Sequence, residues 1–170
     1  MNDLFISQIA FNRHEVNDFN KYPFNLPVIQ NFHKLELCRP VTFLVGENGV
    51  GKSTLIEAIA VAIGLNPEGG SQNFNFSTKS THSKLFDYLT ITKRRKPRTK
   101  FFLRAESFYN VASEIVRLSE ECGVGPLYGA YGGNLHECSH GESFLKLVQH
   151  RFSANGLYIL DEPEAALSPS

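Results

Sequence analysis

Tryptophan is absent from this chain, methionine occurs once, and cysteine only three times in 170 residues. Cys38, Cys122 and Cys138 are odd in number and widely spread, which argues against a disulfide framework and for a reducing, cytoplasmic setting. No apolar run approaches the ~20 residues of a membrane-spanning helix. The opening MNDLFISQIAFNRHE lacks the basic region and long apolar stretch of a signal peptide, so no direct membrane insertion is expected. Neither sign of charge dominates: 17 Lys and Arg balance 17 Asp and Glu, and no global field draws the chain toward nucleic acid or anionic lipid. What is present is a 42% hydrophobic composition with 14 Phe, which excludes a disordered chain. The length suits a single domain over residues 1–170 with a core of its own.

Along the chain, Leu4 to Phe11 reads as a strand, and Pro23 and Pro27 mark turns or sheet edges in the aromatic-dotted stretch that follows. Pro40 to Val45 (PVTFLV) is a short β-branched apolar run that breaks at Gly46, the pattern of a buried strand. Lys52 to Ile63 predicts a helix closing at Gly64. Residues 66–83 and 123–133 are rich in turn formers and predict loops. Tyr88 to Lys93 and Lys100 to Arg104 predict two strands of a hairpin around the basic turn RRKPR. Glu106 to Glu121 predicts a helix with Phe108, Val111, Ile115 and Leu118 on one face. Glu142 to Phe152 predicts another, and Leu157 to Leu160 a strand running into acids.

The chemistry concentrates in Gly46-Glu47-Asn48-Gly49-Val50-Gly51-Lys52-Ser53-Thr54, which satisfies G-x-x-x-x-G-K-[ST] between an expected strand and an expected helix. A loop that wraps a phosphate chain with successive backbone N–H groups needs glycines for close approach and positive φ. Lys52 then reaches the β and γ phosphates, the Ser53 hydroxyl is placed for Mg²⁺, and the helix points its positive end at the anion. A glycine-rich turn without a ligand is the bland alternative, and the strand–loop–helix context weighs against it.

Asp161 and Glu162 sit at the carboxyl end of the apolar run LYIL, where ligands bind in open α/β sheets. Beside a phosphate loop, the first acid is expected to complete the Mg²⁺ shell and the second to act as general base on water. Pro163 ends the strand and helps set the turn that presents Glu162. An N-K-x-D element for guanine is missing, which disfavours a GTPase.

Between these motifs lies Cys138-Ser139-His140-Gly141-Glu142-Ser143. The three elements together resemble the ATP-binding cassette (ABC) ATPases, whose signature LSGGQ occupies this position; CSHGE matches at the Ser and the second Gly only. The chain more closely resembles the stand-alone AAA-named, ABC-type predicted ATPases, in which PVTFLVGENG, FFLRAESF, SHGES and LDEPEAALSP recur together; here they are Pro40 to Gly49, Phe101 to Phe108, Ser139 to Ser143 and Leu160 to Pro169. The resemblance implies a phosphate-loop α/β head with a mostly parallel core sheet and an N-terminal antiparallel β portion. It further implies Mg²⁺-dependent ATP hydrolysis in a head-to-tail homodimer, with Ser139 and Gly141 of one subunit contacting the γ-phosphate held by Lys52 of the other. Ser139 as a plain helix N-cap is the alternative.

The resemblance also places Glu106 where ABC proteins carry the glutamine that senses Mg²⁺, leaving it either a metal ligand or a favourable acid in a helix's first turn. Val50 stands where many relatives have Ser, and the sequence ends at Ser170 without the histidine that contacts the γ-phosphate in ABC heads, so the head is expected to be incomplete. Two rival functions follow: a nucleotide-binding module without turnover, and a peripheral ATPase subunit of a membrane transporter.

Three weaker signals complete the reading. Lys93 to Lys100 (KRRKPRTK), beside Phe101 and Phe102, suits nucleic-acid phosphates, although a solvated hairpin tip is the commoner origin of such a run. His136, Cys138 and His140, with Cys122, fall short of the two separated ligand pairs of a structural zinc site. Tyr22, Phe24 and Arg13 are the aromatic and cationic candidates for stacking on adenine, with packing as the competing role.

Overall fold

Burial along the first strand, β1 (Ile6–Phe11), does not alternate: Ile6, Ile9 and Phe11 are the buried residues. A strand alternates its side chains with period two, so Ile6 and Ile9 can share a face only if one residue is extra. The pairing supplies it. In this computed structural model, which describes residues 4–71, 83–106, 108–121 and 138–166, the register shifts between Ile6 and Gln8, leaving Ser7 as a bulge.

Contacts gather the chain into two compact units, Met1–Pro67 with Thr78–Pro97, and Glu68–Ser77 with Arg98–Ser170. In the first, β1 is the middle strand of an antiparallel sheet, flanked by β2 (Lys34–Glu36) and β4 (Leu89–Lys93). A short helix, α1 (Pro27–Gln30), precedes β2, and α2 (Lys52–Ala62) buries Leu55, Ala58, Ile59 and Ala60. The end of α2 is closed as its glycine predicts: Gly64 takes φ 85°, its N–H donates to Val61 O, and Leu65 N–H donates to Ala60 O.

The aromatic stretch of this unit is packing. Phe11 stacks on Phe24 and Phe32, Phe19 meets Phe11 and Phe24 edge-on, and Tyr88 abuts Phe24 at 4.9 Å. Arg13 pins the cluster, its guanidinium 4.5 Å from the Phe19 ring and its Nη1 donating to the carbonyls of Ile29, Gln30 and Phe32.

In the second unit, β5 (Thr99–Arg104) is central, antiparallel to β3 (Gly70–Ser71) and parallel to β6 (Gly156–Asp161). Phe101 and Leu103 of β5 join Phe108, Val111, Ala112 and Ile115 of α3 (Phe108–Glu121) and Phe144 and Leu147 of α4 (His140–Arg151) in one buried core. The predicted α3 face is thus the buried one, with Leu118 packed at its margin. A Cβ at Gly156 would collide with the ring and hydroxyl of Tyr158, so any larger residue there requires that side chain to move.

Two expectations are corrected. Residues 40–47 form no strand and pair with nothing in a sheet; Phe43 is 83% and Val45 92% exposed. The run has the composition of a buried strand, but among the described residues it joins neither three-stranded sheet, and an apolar segment without a ladder partner gains no burial. Likewise β4 and β5 are not a hairpin: β4 pairs with β1 in the first unit, β5 with β3 and β6 in the second. The antiparallel N-terminal portion is present, while the parallel core is limited to the β5–β6 pair among the described residues. Residues 72–82 and 122–137, which hold most of the two expected loops, lie outside the described set.

A pair of substitutions tests the first correction by chemical denaturation. Phe43→Ser should change stability by no more than about 0.5 kcal/mol, as at an exposed site, whereas Leu147→Ala should cost about 2–5 kcal/mol. A Phe43→Ser cost matching that of Leu147→Ala would mean that the run is buried after all.

Candidate functional site

The glycines of the loop do what the spacing requires. Gly49 and Gly51 take φ 81° and 100°, a left-handed region that costs an L-residue energy. Gly51 is the N-cap of α2, and a Cβ on it would lie 3.0 Å from Leu26 Cδ1 and Val28 Cγ1. The loop is tied to the same segment through its backbone, since Val28 N–H donates to Val50 O at 3.1 Å. Gly46, Glu47, Asn48 and Gly49 are exposed, and Val50, Gly51, Lys52, Ser53 and Thr54 half-buried. Lys52 arches back over the loop, its Nζ donating to Gly46 O and Glu47 O at 2.7 Å each.

No side chain caps α2, and no acid occupies its first turn, so its positive end keeps its field. An exposed loop with glycines in the left-handed region, a lysine over it and an uncapped helix behind it fits a phosphate chain.

The acids belong to the second unit. Asp161 ends β6 with its side chain 5% exposed, and the parallel register sets Arg104 beside it. Arg104 Nε lies 3.4 Å from Asp161 Oδ2, and its Nη2 lies 3.3 Å from Glu106 Oε2. One guanidinium therefore bridges Asp161, the acid expected in the Mg²⁺ shell, and Glu106, which the resemblance leaves between a metal ligand and a first-turn acid. The Ser53 hydroxyl of the first unit and the Asp161 carboxylate of the second are each oxygen donors of the hard type that Mg²⁺ takes. Glu106, 77% exposed and engaged by Arg104, fits a metal less well. Among the described residues no cluster of three or more His, Cys, Asp or Glu is arranged to hold a metal. The zinc reading draws on His136 and Cys122, which lie outside those residues, and Cys138 Sγ accepts from Lys146 Nζ at 2.9 Å.

Glu162 follows with φ 50°, a left-handed conformation for a non-glycine residue, at the turn into Pro163–Ala166. Strain of this kind is worth roughly 1–3 kcal/mol, and it holds an exposed carboxylate just past the strand end. Ser139 is the N-cap of α4 in a complete capping box: Glu142 N–H donates to Ser139 Oγ, and Ser139 N–H donates to Glu142 Oε2 at 2.9 Å. Gly141 lies in the first turn behind it. The Ser139 backbone N–H and then its hydroxyl hold the Glu142 carboxyl below its usual range.

A model of the AAA domain family matches residues 15–121, more than half of the chain, a span that contains the glycine loop and Arg104. This chain belongs to the AAA domain family. AAA domains are nucleotide-binding modules of the ATPase type, which accords with the loop geometry above. Ser139, Asp161 and Glu162 lie beyond the matched span of the AAA domain. No curated protein and no solved structure matches the chain. None of the described helices is long and apolar enough to cross a membrane.

Sequence reasoning missed Arg104 as the partner of both acids. The only signal was an arginine two residues before Glu106 at a strand end; the parallel register that sets it beside Asp161 depends on a partner strand more than fifty residues away.

Two measurements check this geometry. Gly51→Ala should destabilise the protein by about 1–3 kcal/mol through left-handed strain and the contacts with Leu26 and Val28, seen as a lower denaturation midpoint. Because the Glu142 carboxyl is held below its usual range, its capping contribution is full above the unfolded-state value and fades as pH falls through the lower folded-state value. Amide exchange at residues 140–143 should therefore gain a protection loss below the ordinary carboxylate range. Glu142→Gln should abolish that acid-side step.

Proposed function

We propose that this AAA domain binds ATP with Mg²⁺ and hydrolyses it to ADP and phosphate in a head-to-tail, dimer-linked conformational cycle. The observation that carries the reading is the Gly46–Ser53 loop, with two left-handed glycines, opening an uncapped helix under Lys52. Lys52 would leave the Gly46 and Glu47 carbonyls for the β and γ phosphates, exchanging two neutral acceptors for anionic ones. Bound Mg²⁺ would offset phosphate charge, with Ser53 and Asp161 as its protein donors. Glu162 would take a proton from the attacking water, and Ser139 and Gly141 would serve the partner subunit's nucleotide.

For adenine stacking, exposure and existing contacts favour one of the three candidates. Arg13 is spent on three carbonyls and Phe24 on the aromatic cluster, whereas Tyr22 is 63% exposed on the segment that leads into Leu26 and Val28. Tyr22 is the side chain we assign to adenine stacking.

A second reading, nucleotide binding without turnover, is favoured by one observation: Arg104 already supplies positive charge to Asp161 and Glu106. Steady-state phosphate release separates the two. Hydrolysis that Glu162→Gln lowers by at least ~100-fold, a typical general-base contribution, with ATP binding kept, is the expected result. Binding that Lys52→Ala removes, without turnover in any variant, would establish the second reading; a folded wild-type chain that binds no ATP would overturn both.

A further inference from the structure

Residues 88–105 hold seven of the chain's 17 Lys and Arg and none of its Asp or Glu. In a chain of zero net charge that is a local concentration, and its densest part, Lys93-Arg94-Arg95-Lys96, is exposed throughout. A solvated hairpin tip is the ordinary origin of such a run, and it does not apply here, because β4 and β5 do not pair. The run instead starts on a fixed strand. Lys93 is in register with Ile6 of β1, Arg94 N–H donates to Phe5 O at 2.8 Å, and the Arg95 guanidinium lies 4.4 Å from the Phe5 ring.

Beside it is a groove of 420 Å³, within the range of small-ligand clefts, with Arg94 among its lining residues. The β1 bulge helps form it: Ser7 and Gln8 line it with Thr92 of β4, offering hydroxyl and amide groups. Leu4 and Leu37 add apolar surface. The acid among the lining residues, Glu36, is paired with Lys34 at 2.7 Å, so its charge is offset locally. Cations beside a half-apolar groove with amide and hydroxyl groups match the chemistry of a phosphodiester strand with an unstacked base.

We infer that this face of the first unit binds single-stranded nucleic acid, with Lys93, Arg94, Arg95 and Lys96 on the phosphates and a base in the adjoining groove. A duplex keeps its bases stacked and paired, so it offers the run its phosphates and the groove nothing. An anionic membrane offers charge without a base. The site is independent of the nucleotide loop, because none of its residues belongs to Gly46–Ser53.

The test uses the full chain and a fluorescein-labelled mixed-sequence oligonucleotide, followed by anisotropy. With four phosphate contacts on a single strand the salt slope should be about −2.8, a roughly fifty-fold loss of affinity between about 50 and 200 mM salt. The triple variant Lys93→Glu/Arg94→Glu/Lys96→Glu, its fold checked by circular dichroism, should lose binding and flatten that slope to below about 1. Cys38 also lines the groove and is exposed, so saturating oligonucleotide should slow its alkylation while leaving Cys138 unchanged. Weaker binding to the matching duplex and to phosphatidylserine vesicles completes the expected pattern. Equal affinity for the duplex, preference for the vesicles, unaltered Cys38 alkylation, or full binding by the triple variant would each overturn it.

Discussion

The first-turn N–H groups of an α-helix need acceptors, and this chain meets that need in two opposite ways. At α4 the requirement is closed internally by Ser139 and Glu142. At α2 it is left open: Gly51 supplies no side-chain acceptor and no acid stands in the first turn. The difference follows from residue type alone, a serine with a glutamate three residues on against a glycine followed by a lysine. The open end is affordable because the loop before it is held elsewhere, by Leu26 and Val28 against Gly51 and by the Val28–Val50 backbone bond. The aromatic cluster and Arg13 brace that supporting segment, so the anion-binding geometry rests on packing well away from the loop in sequence.

The second unit is governed by a register. Parallel pairing of β5 with β6 places Arg104 beside Asp161, and the turn after β5 sets Glu106 against the same guanidinium. Asp161 is buried, and the Arg104 guanidinium stands beside its carboxylate as a counter-charge. Any cation drawn to Asp161 therefore competes with a group already in place. Glu162, one residue on, is exposed and turned by its positive φ, so adjacent acids occupy unlike environments.

Local pattern was legible where the partner is the element's own neighbour in sequence. The α2 helix and its Gly64 end, the α3 face of Phe108, Val111 and Ile115, and the strand before Asp161 could all be read from spacing and turn chemistry. Patterns that depend on a distant partner were not. Val41, Phe43 and Val45 have strand composition, but composition cannot report whether a ladder neighbour exists. The basic turn after Lys93 looked like a hairpin because the two strands are close in sequence, yet each found its partners in a different sheet. The sequence offers Arg13 as a candidate for adenine stacking and Arg104 as a strand end, and only the fold reveals the carbonyls and carboxylates they serve. At the glycine loop, residue type alone demanded the backbone conformation, and φ values of 81° and 100° are found there.

The central claim is that the loop and the open start of α2 receive a phosphate chain, and amide hydrogen exchange with and without Mg·ATP tests it most directly. The account predicts protection gained at residues 47–54 in the wild type and lost in Lys52→Ala, with α4's capped first turn unchanged in the monomer. Exchange across residues 47–54 that saturating Mg·ATP leaves untouched, in a chain whose core amides are otherwise protected, would contradict it.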